Sequence, residues 1–479
     1  MMLGSSFQKS GIYIFLISST CAYYLLNAPI LLGHFDLGWH LAAGDLIRAR
    51  GNVPFHDPWS FTTAGRQWFN LSWLWDAIAS WIFHHAKFNG LIFLTVACGA
   101  VIVAYLTSAC LRSGASPIAV CISVLCACLL YPAFSAYPNI YLAVSPNTAT
   151  MALSVVFYVE CLKGTRRVFL LPAFMNLWAN LHGGFLLGLF IIAAFGGVAL
   201  LRRDWVNFKI YAAVGVACFI ATFINPLGWH IYEGLTTVLG HFSQQYVTEW
   251  WPYYRNFTVP GSIPGLIYIL AFIALELRDR RLSPIEPRLL SWFFLFLGLY
   301  QFRYMSFFFM FSTVPLALHL DRLLPAPSSN FGSEKSLLVA GLIAACALPL
   351  AYMEIDPAVG LPQMLSAQDV RYLETNFPNA RLLNHWNYGG ILIFRDRGVI
   401  PVFVDGRAAT AYPDDLLHDY FKLAHIKVDP AAWDAVLKKY KIDTVLWPKT
   451  HEELRQFLVG ERGWREAYTG EYAAIYVKP

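Results

Sequence analysis

The chain has 479 residues, 57% of them hydrophobic and only 14% charged, with a mean hydropathy of +0.48, whereas a soluble globular chain carries roughly a quarter charged residues. Such a balance specifies a membrane protein. A net charge of +5, without a basic tail or stripe, argues against nucleic acid as a partner.

After Lys9, "GIYIFLISSTCAYYLLNAPILL" supplies an apolar run long enough to cross a hydrocarbon core of about 30 Å as helix, and it reads as an uncleaved anchor. Further spans are expected near 90–111, 116–133, 145–162, 168–181, 184–201, 209–225, 263–277, 288–301, 304–320 and 336–353, about 11 in all. With the N-terminus inside, Lys and Arg concentrate in the loops that fall on the cytoplasmic side, as the positive-inside rule requires. The same assignment puts "HFDLGWHLAAGDLIRARGNVPFHDP" (34–58), "NLHGG" (180–184), "VTEWWPYYRN" (247–256) and "QFRYM" (301–305) outside. The nine cysteines lie in or beside apolar segments and read as small apolar fillers.

Residues 354–479 change character, with regular polar spacing and no membrane-length apolar run. "RLLNHW", "ILIFRD", "IPVFVD", "IDTVLW" and "YAAIYVK" read as strands, while "DDLLHDYFKLAH", "DPAAWDAVLKKY" and "HEELRQFL" have helical spacing. The expected architecture is an α-helical polytopic membrane domain, residues 1–353 with a first outer loop at 33–89, followed by a small non-cytoplasmic α/β domain at 354–479.

Chemistry gathers on the outer side. Asp36 and His40 are four residues apart and share a face if "DLGWHLAAGDLIRAR" is helical. A helix lying on the bilayer surface, its polar face solvated and Trp39 in the aromatic belt, explains them equally well. Asn176, Asn180 and His182 end one span, and "HGG" alone reads as a tight turn. Arg303 lies between apolar aromatic-rich segments and needs an anion, either Glu249 or Asp36 structurally, or a substrate phosphate. The aromatic residues around Glu249 suit an interfacial belt or the apolar face of a sugar. Asp57 before Pro58 most often just starts a turn, and with His56 it makes a weak metal-ligand pair. Moving a glycosyl group from a lipid phosphate to a hydroxyl takes a carboxylate to accept the proton, and cations or donors for the departing phosphate. Asp36 suits the first role; Arg303, with His40 or His182, suits the second.

Three patches carry a resemblance: Asp36-Leu37-Gly38-Trp39-His40-Leu41-Ala42-Ala43-Gly44, Pro54-Phe55-His56-Asp57-Pro58-Trp59-Ser60-Phe61-Thr62 and Asn180-Leu181-His182-Gly183-Gly184. With the first-loop acid, the span count and the terminal α/β domain, the pattern resembles the GT-C class of polytopic glycosyltransferases. That class uses polyprenyl-phosphate-linked sugars and includes protein O-mannosyltransferases, lipid A aminoarabinose transferases and oligosaccharyltransferase catalytic subunits. The resemblance implies that Asp36 is the first-loop acid that serves the class in catalysis. "HWNYGG" (385–390) is similar to the W-W-D-Y-G signature of oligosaccharyltransferases at Trp386, Tyr388 and Gly389, and departs from it at His385 and Asn387, so peptide-sequon recognition is not carried over. A strand entering a turn accounts for these residues as well. A divalent metal, which the class often uses, stays open.

The expected function is therefore transfer of a sugar from a polyprenyl-phosphate donor to a glycan, lipid or protein hydroxyl at the non-cytoplasmic face of a bacterial inner membrane. Asp36 and Glu249 are the catalytic candidates; His40, His182, Arg303, Trp386 and Tyr388 are the substrate-binding candidates. The alternatives are a transporter or flippase for a lipid-linked or anionic solute, and an inactive scaffold of the same fold in envelope polysaccharide assembly.

Overall fold

The computed structural model describes residues 2–26, 32, 34–127, 143–164, 166–256, 262–324, 365–423 and 428–479. The expected span 336–353 lies outside the described residues. The chain forms two compact units, one of Met1–Leu31, Ile92–Asn225 and Glu249–Asp356, the other of Leu32–Leu91, Pro226–Thr248 and Pro357–Pro479. These units do not follow a division at 353/354, because the first-loop segment groups with the C-terminal residues.

The first unit is a helical bundle. Pro146 starts the helix Pro146–Lys163, where its missing N–H costs nothing, and Gly164 ends it at a left-handed φ of 59°. This helix is buried almost all round, as a central member of a bundle must be. Leu186–Leu201 packs against it and against Trp205–Ala221, whose first turn is capped by the Asp204 carboxylate. Large apolar side chains face outward, Leu201, Val206, Ile224, Ile263, Ile267 and Phe296 among them, a surface that suits hydrocarbon better than water. Buried charge is paired instead of left bare: Glu276 accepts from Arg288 and His319.

Among the described residues two helices are long and apolar enough to cross a membrane, Trp73–Arg112, which is kinked at Lys87 with a φ of 53°, and Gly183–Leu201, with shorter apolar helices at Gly11–Leu25 and Trp205–Ala221. The expected run at 304–320 divides at Ser312 into Met305–Phe311 and Thr313–Leu323.

In the second unit a four-stranded sheet has the order β1 (Leu382–Asn384), β2 (Thr444–Pro448), β4 (Ala473–Val477), β3 (Arg465–Thr469). β1 and β2 run parallel with Leu382 opposite Thr444, and the other pairs are antiparallel. Every residue of β4 is buried, which its continuous apolar sequence anticipates. "RLLNHW", "IDTVLW" and "YAAIYVK" thus contain strands, and helices occupy Asp414–Leu423 and Pro430–Lys439, the latter capped by Asp429. "HEELRQFL" starts as the short helix Glu452–Arg455. Two expected strands are different. "ILIFRD" belongs to the helix Trp386–Arg395, and "IPVFVD" contributes only a bridge between Val402 and Ser60. A short apolar run does not distinguish strand from buried helix.

Trp39, Trp59 and Trp68 of the first loop share one hydrophobic core with Leu382, Tyr388, Val445 and Trp447.

Candidate active site

The helix Leu37–Arg50 begins at Asp36 and ends at Gly51, which adopts the left-handed cap conformation. Eight of its residues, including Trp39 and His40, are buried, so it does not lie on a surface as an amphipathic helix would. Two glycines explain the packing. A Cβ at Gly44 would collide with the backbone carbonyl of Asp76, and one at Gly38 with that of Gly390. The helix is therefore held between the start of Trp73–Arg112 and the helix Trp386–Arg395.

His40 lies against Asp76 with Nδ1 2.6 Å from Oδ1. Trp39 stacks on its ring at 3.6 Å, and Trp75 meets it edge-on at 5.0 Å. Asn70 and Ser72 donate to the same wholly buried carboxylate. This makes an oriented imidazole, with its tautomer set by the carboxylate behind it. Asp36, one turn earlier, accepts no bond from its own helix's first amides. Its side chain is 30% exposed and lies 3.8 Å from His34 Nδ1.

The candidate metal pair has another role. Asp57 Oδ1 accepts from the Trp59 and Ser60 amides and from Arg407 Nη1 at 2.7 Å, and Oδ2 accepts from Thr63. His56 pairs as an isolated bridge with Gln67. Arg407 is wholly buried; it also donates to Asp405 and Ser60, lies 4.9 Å and 5.0 Å from the Trp59 and Trp68 ring centroids, and has Tyr412 Oη 3.1 Å from Nη2. Burial alone would raise the Asp57 carboxyl, yet the guanidinium and the Thr63 and Trp59 donors hold it below its ordinary range. The Arg407 guanidinium is in turn carried upward against its burial by Asp405, Tyr412 and Asp57. Among the described residues no group of three or more His, Cys, Asp or Glu side chains is placed to hold a metal ion.

The "HWNYGG" segment is a packing junction. A Cβ at Gly389 would collide with the carbonyl of Val404, and Gly390 lies close to Trp39. His385 caps the Trp386–Arg395 helix through Nδ1, and burial beside His451 pushes its imidazole down to about 4. Tyr388 is buried with its hydroxyl toward the Tyr472 carbonyl, and half-buried Trp386 packs on Phe421. The structure gives both core contacts.

The remaining candidates lie in the first unit. Arg303 finds its anion in Glu249, at 3.3 Å, and lies 3.9 Å over the Trp250 ring. Both partners stay partly exposed. His182 accepts from the Gly184 amide and sits 2.8 Å from Thr150 Oγ1, while Asn176 and Asn180 donate to the Ile224 carbonyl. These polar groups at the helix end are spent on neighbouring backbone and hydroxyl groups. Sequence reasoning missed Asp76, Asp405, Arg407 and Tyr412. The acid-Gly-Arg run in "VFVDGRAATAY" is the one local signal that marked the last three.

No family model matches the chain, and no curated protein matches it by sequence. Solved structures do. The oligosaccharyltransferase AglB from Archaeoglobus fulgidus, in complex with an inhibitory peptide and a dolichol-phosphate, aligns with a TM-score of 0.62 at 12% identity over 96% of this chain and 73% of that one. ArnT from Cupriavidus metallidurans, bound to undecaprenyl phosphate, aligns with a TM-score of 0.53 at 13% identity over 96% and 97%. At such identities the likeness is one of fold, and the fold is the GT-C type that the sequence motifs resemble.

Proposed function

We propose that the protein is a membrane glycosyltransferase that takes a sugar from a polyprenyl-phosphate donor and passes it to a glycan, lipid or protein hydroxyl. The shared fold supplies the premise. The observation that carries the reading is Asp36: it stands partly exposed at the start of a buried, rigidly packed helix, while Asp57 and Asp76 of the same loop are consumed in buried pairs. In the reaction the acceptor oxygen attacks the anomeric carbon, the bond from that carbon to the phosphate oxygen breaks, and Asp36 takes the acceptor's proton. His40, held by Asp76, offers its other ring nitrogen to the substrate. Arg303 meets the phosphate by exchanging one charge-assisted bond, now made to Glu249, for another; Glu249 holds it until then. His182 has a supporting role in this scheme, and Trp386 and Tyr388 act through packing. The reading places the site at the non-cytoplasmic face of a bacterial inner membrane, with the N-terminus inside.

Purified full-length protein incubated with labelled polyprenyl-phosphate sugar tests this. Transfer of label that is lost in Asp36→Asn supports it. Full transfer by that variant removes its centre. Movement of the intact lipid-linked sugar across a vesicle without turnover identifies a flippase, and neither activity a scaffold.

A further inference from the structure

Gly406 lies beneath the Asp36 carboxylate: any side chain there would collide with Oδ1, and its first carbon would stand 3.3 Å from Nε1 of Trp39. Oδ1 and the indole nitrogen therefore flank the same bare α-carbon. Trp39 is three residues beyond Asp36, on the same side of the helix. Its N–H can only donate, and it is buried without an acceptor among the described residues, a state that costs free energy until an acceptor arrives. The ring itself is fixed, stacked on His40 at 3.6 Å and edge-on to Trp68 at 6.3 Å. Asp36 is the partly exposed partner, so adjustment falls to the carboxylate. Other charged groups around it are engaged: His40 with Asp76, and Asp405 and Arg407, which flank Gly406, with each other. His34 stands on the opposite side, 3.8 Å from Oδ2.

We propose that Trp39 is a positioning residue for Asp36: over the bare α-carbon of Gly406 its Nε1–H engages Oδ1 and leaves Oδ2 as the oxygen that receives the acceptor's proton. This rests on the reading of Asp36 as the base. A phosphate does not substitute in this seat, because it would bring negative charge against the carboxylate. Gly406 is required because a methyl group would occupy the position of Oδ1.

The test uses full-length protein with 15N-labelled tryptophan. The indole resonance missing in Trp39→Phe belongs to Trp39, and it moves in Asp36→Asn and in Gly406→Ala. Trp39→Phe removes the N–H with the pyrrole ring and keeps a six-membered aromatic face, and is expected to lower kcat roughly tenfold, the worth of one hydrogen bond, with KM for the lipid-linked donor unchanged. An indole resonance indifferent to Asp36→Asn, or a Trp39→Phe enzyme with wild-type kcat, overturns the proposal. Absence of turnover in the wild type sinks the transferase reading separately, and the indole resonance then decides the positioning alone. Asp36→Asn and Trp39→Phe add no atoms to the core, so the test stands even if Gly406→Ala fails to fold.

Discussion

Two ion pairs, each joining residues more than fifty positions apart, differ in kind. Arg407 with Asp57 and Asp405 is sealed from water, whereas Arg303 with Glu249 is reached by solvent on both sides. In the sealed cluster each charge has given up its hydration, so removing one partner leaves the others in a medium that punishes bare charge. In the open pair water replaces whatever is lost. The first therefore reads as construction, and the second as a cation able to change partners, as the phosphate-binding role proposed for Arg303 requires.

The comparison breaks most easily at Arg407. Replacing it with Met should destabilise the protein by about 3–5 kcal/mol, because Asp57 and Asp405 stay buried and unpaired. Denaturation followed by circular dichroism measures this, and a loss under about 1 kcal/mol contradicts the sealed character of the cluster. Tyr412→Phe removes a hydroxyl lying 2.6 Å from Asp405 Oδ2 and 2.7 Å from Ser60 Oγ, and by the same measurement should cost about 1–3 kcal/mol.

Acid and base titrations sharpen the picture. Burial raises the Asp396 carboxyl to about 6, so the folded state binds the extra proton between its ordinary value and that one, and stability falls as pH rises through this window. His385, held down to about 4, has the opposite sign: the unfolded state binds the extra proton, and stability falls as pH drops from its ordinary value toward 4. The two slopes oppose each other, each at most about 1.4 kcal/mol per pH unit. His385→Gln should uncover the loss on raising pH from 4 to 6, and Asp396→Asn the loss on lowering it, in denaturation midpoints taken across that range. Asp57 adds a contribution fully present above its ordinary carboxylate range and lost as pH falls through its depressed one. Smallest is Glu249→Gln, expected to change stability by less than about 1 kcal/mol. Its effect should appear in turnover instead, since Arg303 then has no carboxylate to release; unaltered kinetics separate Glu249 from the reaction.

Most of the helical course was legible because apolar runs bounded by Pro, Gly and Asp carry their own punctuation. Pro146, Gly164 and Asp429 all act where their chemistry says. Asp57 before Pro58 reads as a turn, and its carboxylate does accept the Trp59 and Ser60 amides. What it also does was not legible: Arg407 lies 350 residues away, and no local pattern reports a partner at that separation. His40 and Asp76, 36 residues apart, were hidden for the same reason. "ILIFRD" misled because its helical start depends on the His385 cap and on two glycines that admit neighbouring backbone, features outside the apolar run itself.

The distance between Asp57 and Arg407 also sets an order of events during synthesis. At roughly 5–20 residues per second, the ribosome takes on the order of 20–70 s to supply the guanidinium after the first loop has emerged. Throughout that interval Trp59 and Trp68 lack the cation that packs on both rings, and the loop must wait, hydrated or chaperoned, for the last quarter of the polypeptide to lock it.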